Sequence, residues 1–174
     1  VLVKVIKSGI CGSDLHYFRN AGLGQFRQKL PMSLGHEASG YVVESKSKKF
    51  KPDDKVGIEP ALTCKNCRFC LSDRQNLCPD VIFLGANTTG AFSDYLIVDE
   101  SQLIKSDKYS YAGLALIEPF GVALHNFKLA QDLENSKSSY ENIGIIGGGP
   151  IAALIGIIIK NQHKDKNIKI IEPV

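Results

Sequence analysis

Over roughly the first hundred residues, apolar positions come in short runs broken by polar or glycine-rich segments. Val1–Ile6 reads as a strand. Ser8–Ser13 is glycine-rich and predicts a loop, and Leu15–Arg19 predicts a short helical turn. From Gly35 to Val43 a glycine turn leads into the apolar run SGYVV, a second strand. Lys46–Asp54 is polar and turn-rich. Lys55–Glu59 is a short strand ending at Pro60, which has no amide hydrogen to extend a ladder. Cys64–Pro79 is irregular and too polar for a core of its own, and Ala91–Val98, AFSDYLIV, reads as a further strand. The period then lengthens. Leu114, Ile117, Val122, Leu124 and Phe127 recur at helical spacing within Tyr111–Ala130, with His125 expected to pack on that helix. Gln131–Tyr140 is a polar, Ser/Asn-rich connection, and Asn142–Glu172 reads strand, glycine turn, apolar helix, strand. Short strands followed by one βαβ unit predict a mixed fold of two domains. The first, over 1–130, is an irregular all-β domain, and the second, over 131–174, is the incomplete start of an α/β domain.

Composition adds bounds. The chain has 174 residues, 44% hydrophobic and 22% charged, and carries a net charge of +3. That suits a globular protein with a real core and gives no basic stripe for nucleic acid. Lys46, Lys48, Lys49 and Lys51 read as a solvated turn. The longest apolar stretch, Ile151–Ile159, is about half of what a membrane span needs, so no membrane partner is expected. The chain opens on Val1-Leu2-Val3-Lys4-Val5 rather than on a signal sequence. It begins without Met and begins and ends in strands, as a piece of a longer chain would. An odd number of cysteines with C-x-x-C spacing favours metal over disulfides and a reducing, cytoplasmic location.

The candidate chemistry lies in those cysteines. Cys64, Cys67, Cys70 and Cys78 follow C-x2-C-x2-C-x7-C. Four thiolates that close together along a chain can converge on one tetrahedral Zn²⁺ at about 2.3 Å, a closed structural site. An iron–sulfur module is the rival, since C-x2-C-x2-C and Cys78-Pro79 share features with ferredoxins, but the last gap is seven residues rather than three. The fifth cysteine lies in GICGSDLHY, residues 9–17, and LGHEASG occupies residues 34–40. Cys11 and His36 flanked by glycines, joined by a carboxylate, would make a three-ligand zinc site with a vacant position. Glu37 and Glu118 are the candidate carboxylates, the latter in LIEPFG, where Pro119 is expected to break the backbone.

The segments GICGSDLHY, LGHEASG, IEP, the four-cysteine lobe, GAFSDYLIV, IEPFGVALH and GGGPIA occur in an order that resembles the zinc-dependent medium-chain dehydrogenases. Within them the resemblance is to the sorbitol and L-idonate 5-dehydrogenase branch. It implies a GroES-like catalytic domain followed by a Rossmann domain. It implies Cys11 and His36 as catalytic zinc ligands, with Glu37 and Glu118 competing for the remaining protein position. It implies structural zinc on Cys64, Cys67, Cys70 and Cys78, a proton path through Ser13 and His16, and substrate contacts at Tyr17 and, fitting a polyhydroxy ligand, at Glu118. It further implies a small polyhydroxy substrate and a homo-oligomeric parent chain.

In IGIIGGGPIA, Gly147 and Gly149 fit the first two glycines of G-x-G-x-x-G/A, with Ala152 in the third place. Pro150 suits the helix start, where phosphates would meet free N–H groups. Glu172 ends the second strand, 25 residues past Gly147, where a carboxylate accepts from ribose hydroxyls, so NAD is expected rather than NADP. The expected activity is hydride transfer from a secondary alcohol of a polyol or sugar acid to NAD. Asn142–Val174 supplies only one βαβ unit, so this chain is expected to bind zinc without turning over by itself. The alternative is a non-catalytic zinc or iron–sulfur module.

Overall fold

The glycine-rich segment before residue 12 does not begin as a loop. Strand β1 (Leu2–Gly9) runs through it, and helix α1 (Gly12–Asn20) follows after a two-residue break. The computed structural model describes residues 1–23, 26–28, 31–133 and 141–172. The short strands β2 (Gly22–Leu23) and β3 (Phe26–Arg27) pair with each other, and β4 (Glu37–Glu44), β5 (Lys55–Ile58) and β6 (Ala61–Leu62) come next. The cysteine-rich segment holds one turn of helix, α2 (Arg68–Leu71), before β7 (Ile82–Phe83), which pairs with β6. Strands β8 (Tyr95–Ile97) and β9 (Leu103–Lys105) and helix α3 (Tyr111–Ala115) complete this part.

A five-stranded antiparallel sheet in the order β8-β1-β4-β5-β9 is its centre. Alternate side chains of these strands point to one face, and Val3, Val42, Val56 and Ile58 are almost wholly buried there with Leu96, Val98 and Leu103. Helix α3 packs over β1, β4 and β5. That approach needs Gly57, because a Cβ there would stand 2.5 Å from Ile117 Cδ1 and 3.0 Å from the Leu114 carbonyl oxygen.

One local expectation about the sheet changes. Only Tyr95–Ile97 of the stretch Ala91–Val98 is strand, because the amides of Gly90, Ala91 and Phe92 donate instead to the carbonyls of Ser33, Gly35 and Leu34, each at 2.8 Å. The Lys46–Asp54 turn lacks a glycine, yet Asp53 takes φ +71. Asp is among the residues that tolerate this left-handed region. The turn is held by the Lys51 amide donating to Asp54 Oδ2 and the Asp53 amide donating to Val42 O. Asp54 is also paired to Lys105 at 2.6 Å.

The described chain divides into compact units Val1–Glu118 and Pro119–Val174. Pro119 does not break the backbone. It sits in the first turn of α4 (Ile117–Leu133), where a proline removes no helical hydrogen bond. In the second unit, β10 (Asn142–Ile146) pairs in parallel with β11 (Asn167–Ile171), and α5 (Pro150–Gln162) connects them. Ala123 and Phe127 of α4 form one apolar core with Ile145, Ile158 and Ile159, so the helix expected in the first domain contributes to the second unit's core. His125, expected to pack, is exposed. Residues 134–140 of the expected polar connection, and 173–174, lie outside the described residues. No helix among the described residues is long and apolar enough to cross a membrane.

Truncating Ile58, 1% exposed in the apolar core against the sheet, leaves a cavity there. Ile58→Ala is expected to cost about 2–5 kcal/mol of unfolding free energy, read as a lowered denaturant midpoint at unchanged slope.

Candidate functional site

The antiparallel register of β1 and β4 sets Gly9 opposite Glu37 and Ser8 opposite Ala38. The chain leaving β1 and the chain entering β4 therefore emerge at the same end of the sheet, carrying Cys11 and His36. The Cys11 sulfur, a His36 ring nitrogen and a Glu37 carboxylate oxygen all lie within 4.8 Å of one another. His36 and Glu37 are buried, at 6% and 9% exposure, and Cys11 is half-buried.

Asp14, absent from the sequence-derived candidates, organises this group. It is 2% exposed. Its Oδ2 accepts from the Cys11 amide at 2.8 Å, and its Oδ1 accepts from the Gly35 amide at 3.1 Å. Oδ1 also lies 3.6 Å from His36 Nδ1. One carboxylate thus fixes the backbone before His36, the backbone at Cys11 and the facing edge of the imidazole. With Nδ1 turned to a carboxylate, Nε2 is the nitrogen left for a metal, the arrangement common at metal-bound histidines. The signal that could have found Asp14 is its place three residues after Cys11, the N3 position of a capping box.

Burial pushes the Glu37 carboxyl up, opposed by His36, reinforced by Asp14 and opposed by the neighbouring Cys11. Glu118, in the first turn of α4 and half-buried, lies outside this three-residue group. Burial first, then the negative charges of Glu37, Glu59 and Asp14, raise its carboxyl from an ordinary 4.5 to about 7. Of the other candidates on α1, Ser13 is half-buried, His16 is exposed one turn further on, and Tyr17 is buried on the face that carries Asp14.

The four remaining cysteines form a second cluster, their sulfurs also within 4.8 Å of one another. Cys64 and Cys78 Sγ are 3.5 Å apart, Cys67 and Cys70 3.5 Å, and Cys64 and Cys70 3.9 Å. Thiolates at 2.3 Å from a tetrahedral zinc stand about 3.8 Å apart, whereas a disulfide holds its sulfurs at about 2 Å. The spacing fits one ion. Backbone N–H groups point at the sulfurs, with the Cys64 amide on Cys78 Sγ and the Cys70 amide on Cys67 Sγ, each at 3.5 Å. An N–H from Asn66 is the main reason the Cys64 thiol falls to about 7, while burial drives Cys70 up to about 11. Amide donors favour thiolate at one corner, and full ionisation at all four awaits a cation.

In the second unit, Gly147 takes φ +101 at the end of β10, and a Cβ at Gly147 or Gly149 would meet no atom within 4 Å. Gly149 is the N-cap of α5, Pro150 follows it, and no side chain caps that end. These features fit a phosphate group approaching along the backbone. The Glu172 carboxylate, at the end of β11, accepts from the Gly148 amide, beside the same loop. Ala152 lies one turn into α5 and is half-buried.

An antiparallel sheet carrying a thiol, imidazole and carboxylate group, with a four-sulfur lobe beside it in sequence, defines the catalytic-domain class of zinc dehydrogenases. Residues 1–108 match the alcohol dehydrogenase GroES-like domain family, and the chain belongs to it. The chain is 40% identical over 158 residues to the sorbitol dehydrogenase of Bacillus subtilis (strain 168), covering 88% of this chain and 43% of that protein. It is 35% identical over 165 residues to the L-idonate 5-dehydrogenase (NAD(P)(+)) of Escherichia coli (strain K12), covering 91% and 47%. The crystal structure of L-idonate 5-dehydrogenase from Escherichia coli str. K-12 substr. MG1655 superposes with TM-score 0.84 at 30% identity, over 99% of this chain and 55% of that one. The chain spans about half the length of the curated relatives it matches.

Asp14→Asn puts an amide NH₂ where one of two N–H donors now finds an acceptor. It is expected to weaken zinc at the Cys11 centre about 10–100-fold and to leave the four-cysteine centre unchanged, by competition with a chromophoric chelator. Glu118 gives a pH signature. Its folded pKa is above its unfolded value, so in metal-free protein the folded state binds more protons and stability falls as pH rises from about 4.5 to about 7. Glu118→Gln is expected to flatten that slope in unfolding curves measured across this range.

Proposed function

We propose that this chain is the zinc-binding catalytic part, with the beginning of the nucleotide-binding part, of an oxidoreductase that transfers hydride from a secondary alcohol of a polyol or sugar acid to NAD. The observation that carries the proposal is the convergence of Cys11, His36 and Glu37 within 4.8 Å on a sheet whose register brings them together. Three protein donors, two anionic and one neutral, are a catalytic rather than a structural zinc set, because zinc sites of that kind keep a position for water or substrate. Glu37 is assigned as the direct carboxylate, and Glu118, outside that group and with its carboxyl raised to about 7, as a hydrogen-bonding neighbour. Cys64, Cys67, Cys70 and Cys78 would hold the second, structural zinc, which suits a reducing cytoplasm.

When bound, zinc would supply Lewis-acid polarisation of an alcohol oxygen, and NAD a hydride acceptor. The chain's own residues do the rest. Asp14 fixes the Cys11 backbone and the imidazole. Ser13 and His16, three residues apart on α1 and so neighbours on its surface, would pass the alcohol proton from the half-buried site to solvent. Tyr17 would wall the substrate side. Gly147, Gly149 and Ala152 would let a pyrophosphate close onto the α5 N-terminus. Glu172, released from the Gly148 amide, would accept from the adenosine ribose and repel a 2′-phosphate. The L-idonate relative carries NAD(P)(+) in its name, so the preference for NAD rests on Glu172.

The test is metal analysis joined to turnover. Two zinc ions per chain are expected, one lost in Cys11→Ala and the other in Cys64→Ala. NADH formation over a panel of sugar alcohols and aldonates, assayed in the full-length protein, is expected to vanish in Cys11→Ala. A single zinc insensitive to Cys11, or iron in the cysteine lobe, would turn the reading to a non-catalytic metal module.

A further inference from the structure

Gly9 is paired directly across the ladder from Glu37. An ideal Cβ built at Gly9 would stand 2.1 Å from Glu37 Oε2, 3.2 Å from its Cδ and 3.1 Å from its Cβ. Real Cβ atoms do not approach other atoms to 2.1 Å, so any side chain at position 9 must displace something. No other group stands among the three nearest atoms, and the closest is the end of a flexible side chain rather than backbone. What yields is the carboxylate itself. The empty space over Gly9 is therefore the place where that carboxylate lies. An oxygen of the same carboxylate lies within 4.8 Å of the Cys11 sulfur and of a His36 ring nitrogen.

We infer that Gly9 is a positioning residue: its missing side chain is the seat that holds the Glu37 carboxylate beside Cys11 and His36. This rests on the reading of those three residues as metal donors for its functional consequence, though not for the seat itself. Gly9 does not need to be glycine for its backbone, since it is the last residue of a strand and its φ is not in the left-handed region. The requirement is space. Gly9→Ala therefore keeps the strand pairing and evicts one oxygen ligand.

The test uses Gly9→Ala, Glu37→Ala and the double variant. A crystal structure of Gly9→Ala is expected to keep β1 and β4 in register and to show the Glu37 carboxylate swung away from Cys11. A carboxylate still against Cys11 would overturn the inference. Co²⁺ is then titrated, by its thiolate charge-transfer band, into protein whose four-cysteine centre is already filled with zinc. Gly9→Ala is expected to weaken Co²⁺ about 10-fold or more, on the scale of losing a supporting contact, and Glu37→Ala to weaken it at least as much. The double variant should be no weaker than Glu37→Ala, and additive losses would overturn the seat. If Glu37→Ala leaves Co²⁺ affinity unchanged, the donor reading fails while the crystal structure still decides the seat. If Gly9→Ala does not fold, the double variant is expected to fold, and its failure would overturn the inference.

Discussion

The hydrogen-bond register between β1 and β4 is the constraint on which the rest depends. Cys11 and His36 are far apart in sequence, and neither segment has any local reason to find the other. The antiparallel ladder supplies it: Leu2 to Gly9 descends one strand while Glu37 to Glu44 ascends the next, so the end of one meets the start of the other. A slip of one residue would turn every side chain to the opposite face, burying Lys4 in place of Val3 and moving Glu37 off the metal group. The apolar face of the sheet therefore enforces the register of the site. Placing donors at strand and helix ends, rather than within a free loop, also limits how far they can wander.

Around that geometry, charge works against the metal-free protein. Cys11, Glu37, Asp14, Glu59 and Glu118 bring as many as five acidic groups to one region. Each is handled differently. Asp14 is buried and accepts two backbone N–H bonds. Glu59 accepts from the Ala61 amide. Glu118 has no such compensation and responds by staying protonated to about 7. In the four-sulfur lobe one thiol is lowered, chiefly by the Asn66 N–H, and one is raised, chiefly by burial. A divalent ion bound at either centre would offset the cost of bringing these acidic groups together.

How much of this was legible in the sequence follows from what each residue depends on. The cysteine lobe was, because its four sulfurs are close along the chain and local folding alone can gather them. The glycine loop was, because a positive φ at Gly147 leaves a mark in residue type. The pairing of Cys11 with His36 was read from the glycines beside each and from their metal-donor chemistry, and the resemblance implied the same pair. Asp14 was missed because its work is done through backbone amides of residues 11 and 35, and a lone Asp in a helix's first turn reads as an ordinary cap. The length of β8 was misjudged because AFSDYLIV has strand character throughout. Its first residues bond the 33–35 segment instead, a tertiary preference that overrides propensity. Pro119 was read as a breaker because proline's effect depends on depth in a helix, which the sequence leaves open until α4's start is known.

The glycines around the site then take on a meaning that sequence cannot assign. Gly35 has φ +92, and a Cβ there would strike the Phe92 ring at 2.5 Å. Gly85 and Gly90 press on the backbone of Leu34 and Gly35. These three let the 83–92 segment close over the strand entry that delivers His36; at Gly85 and Gly90 the requirement is backbone contact, and at Gly35 it is a positive φ and room for the Phe92 ring. Gly9 differs in kind, since what fills its missing side chain's volume is another residue's functional group. Both uses look identical as letters in a sequence. The distinction matters for how the site tolerates change: side chains at 85 or 90 would disturb the fold, whereas one at 9 would leave the sheet standing and remove a single oxygen from the place where the thiol and imidazole meet.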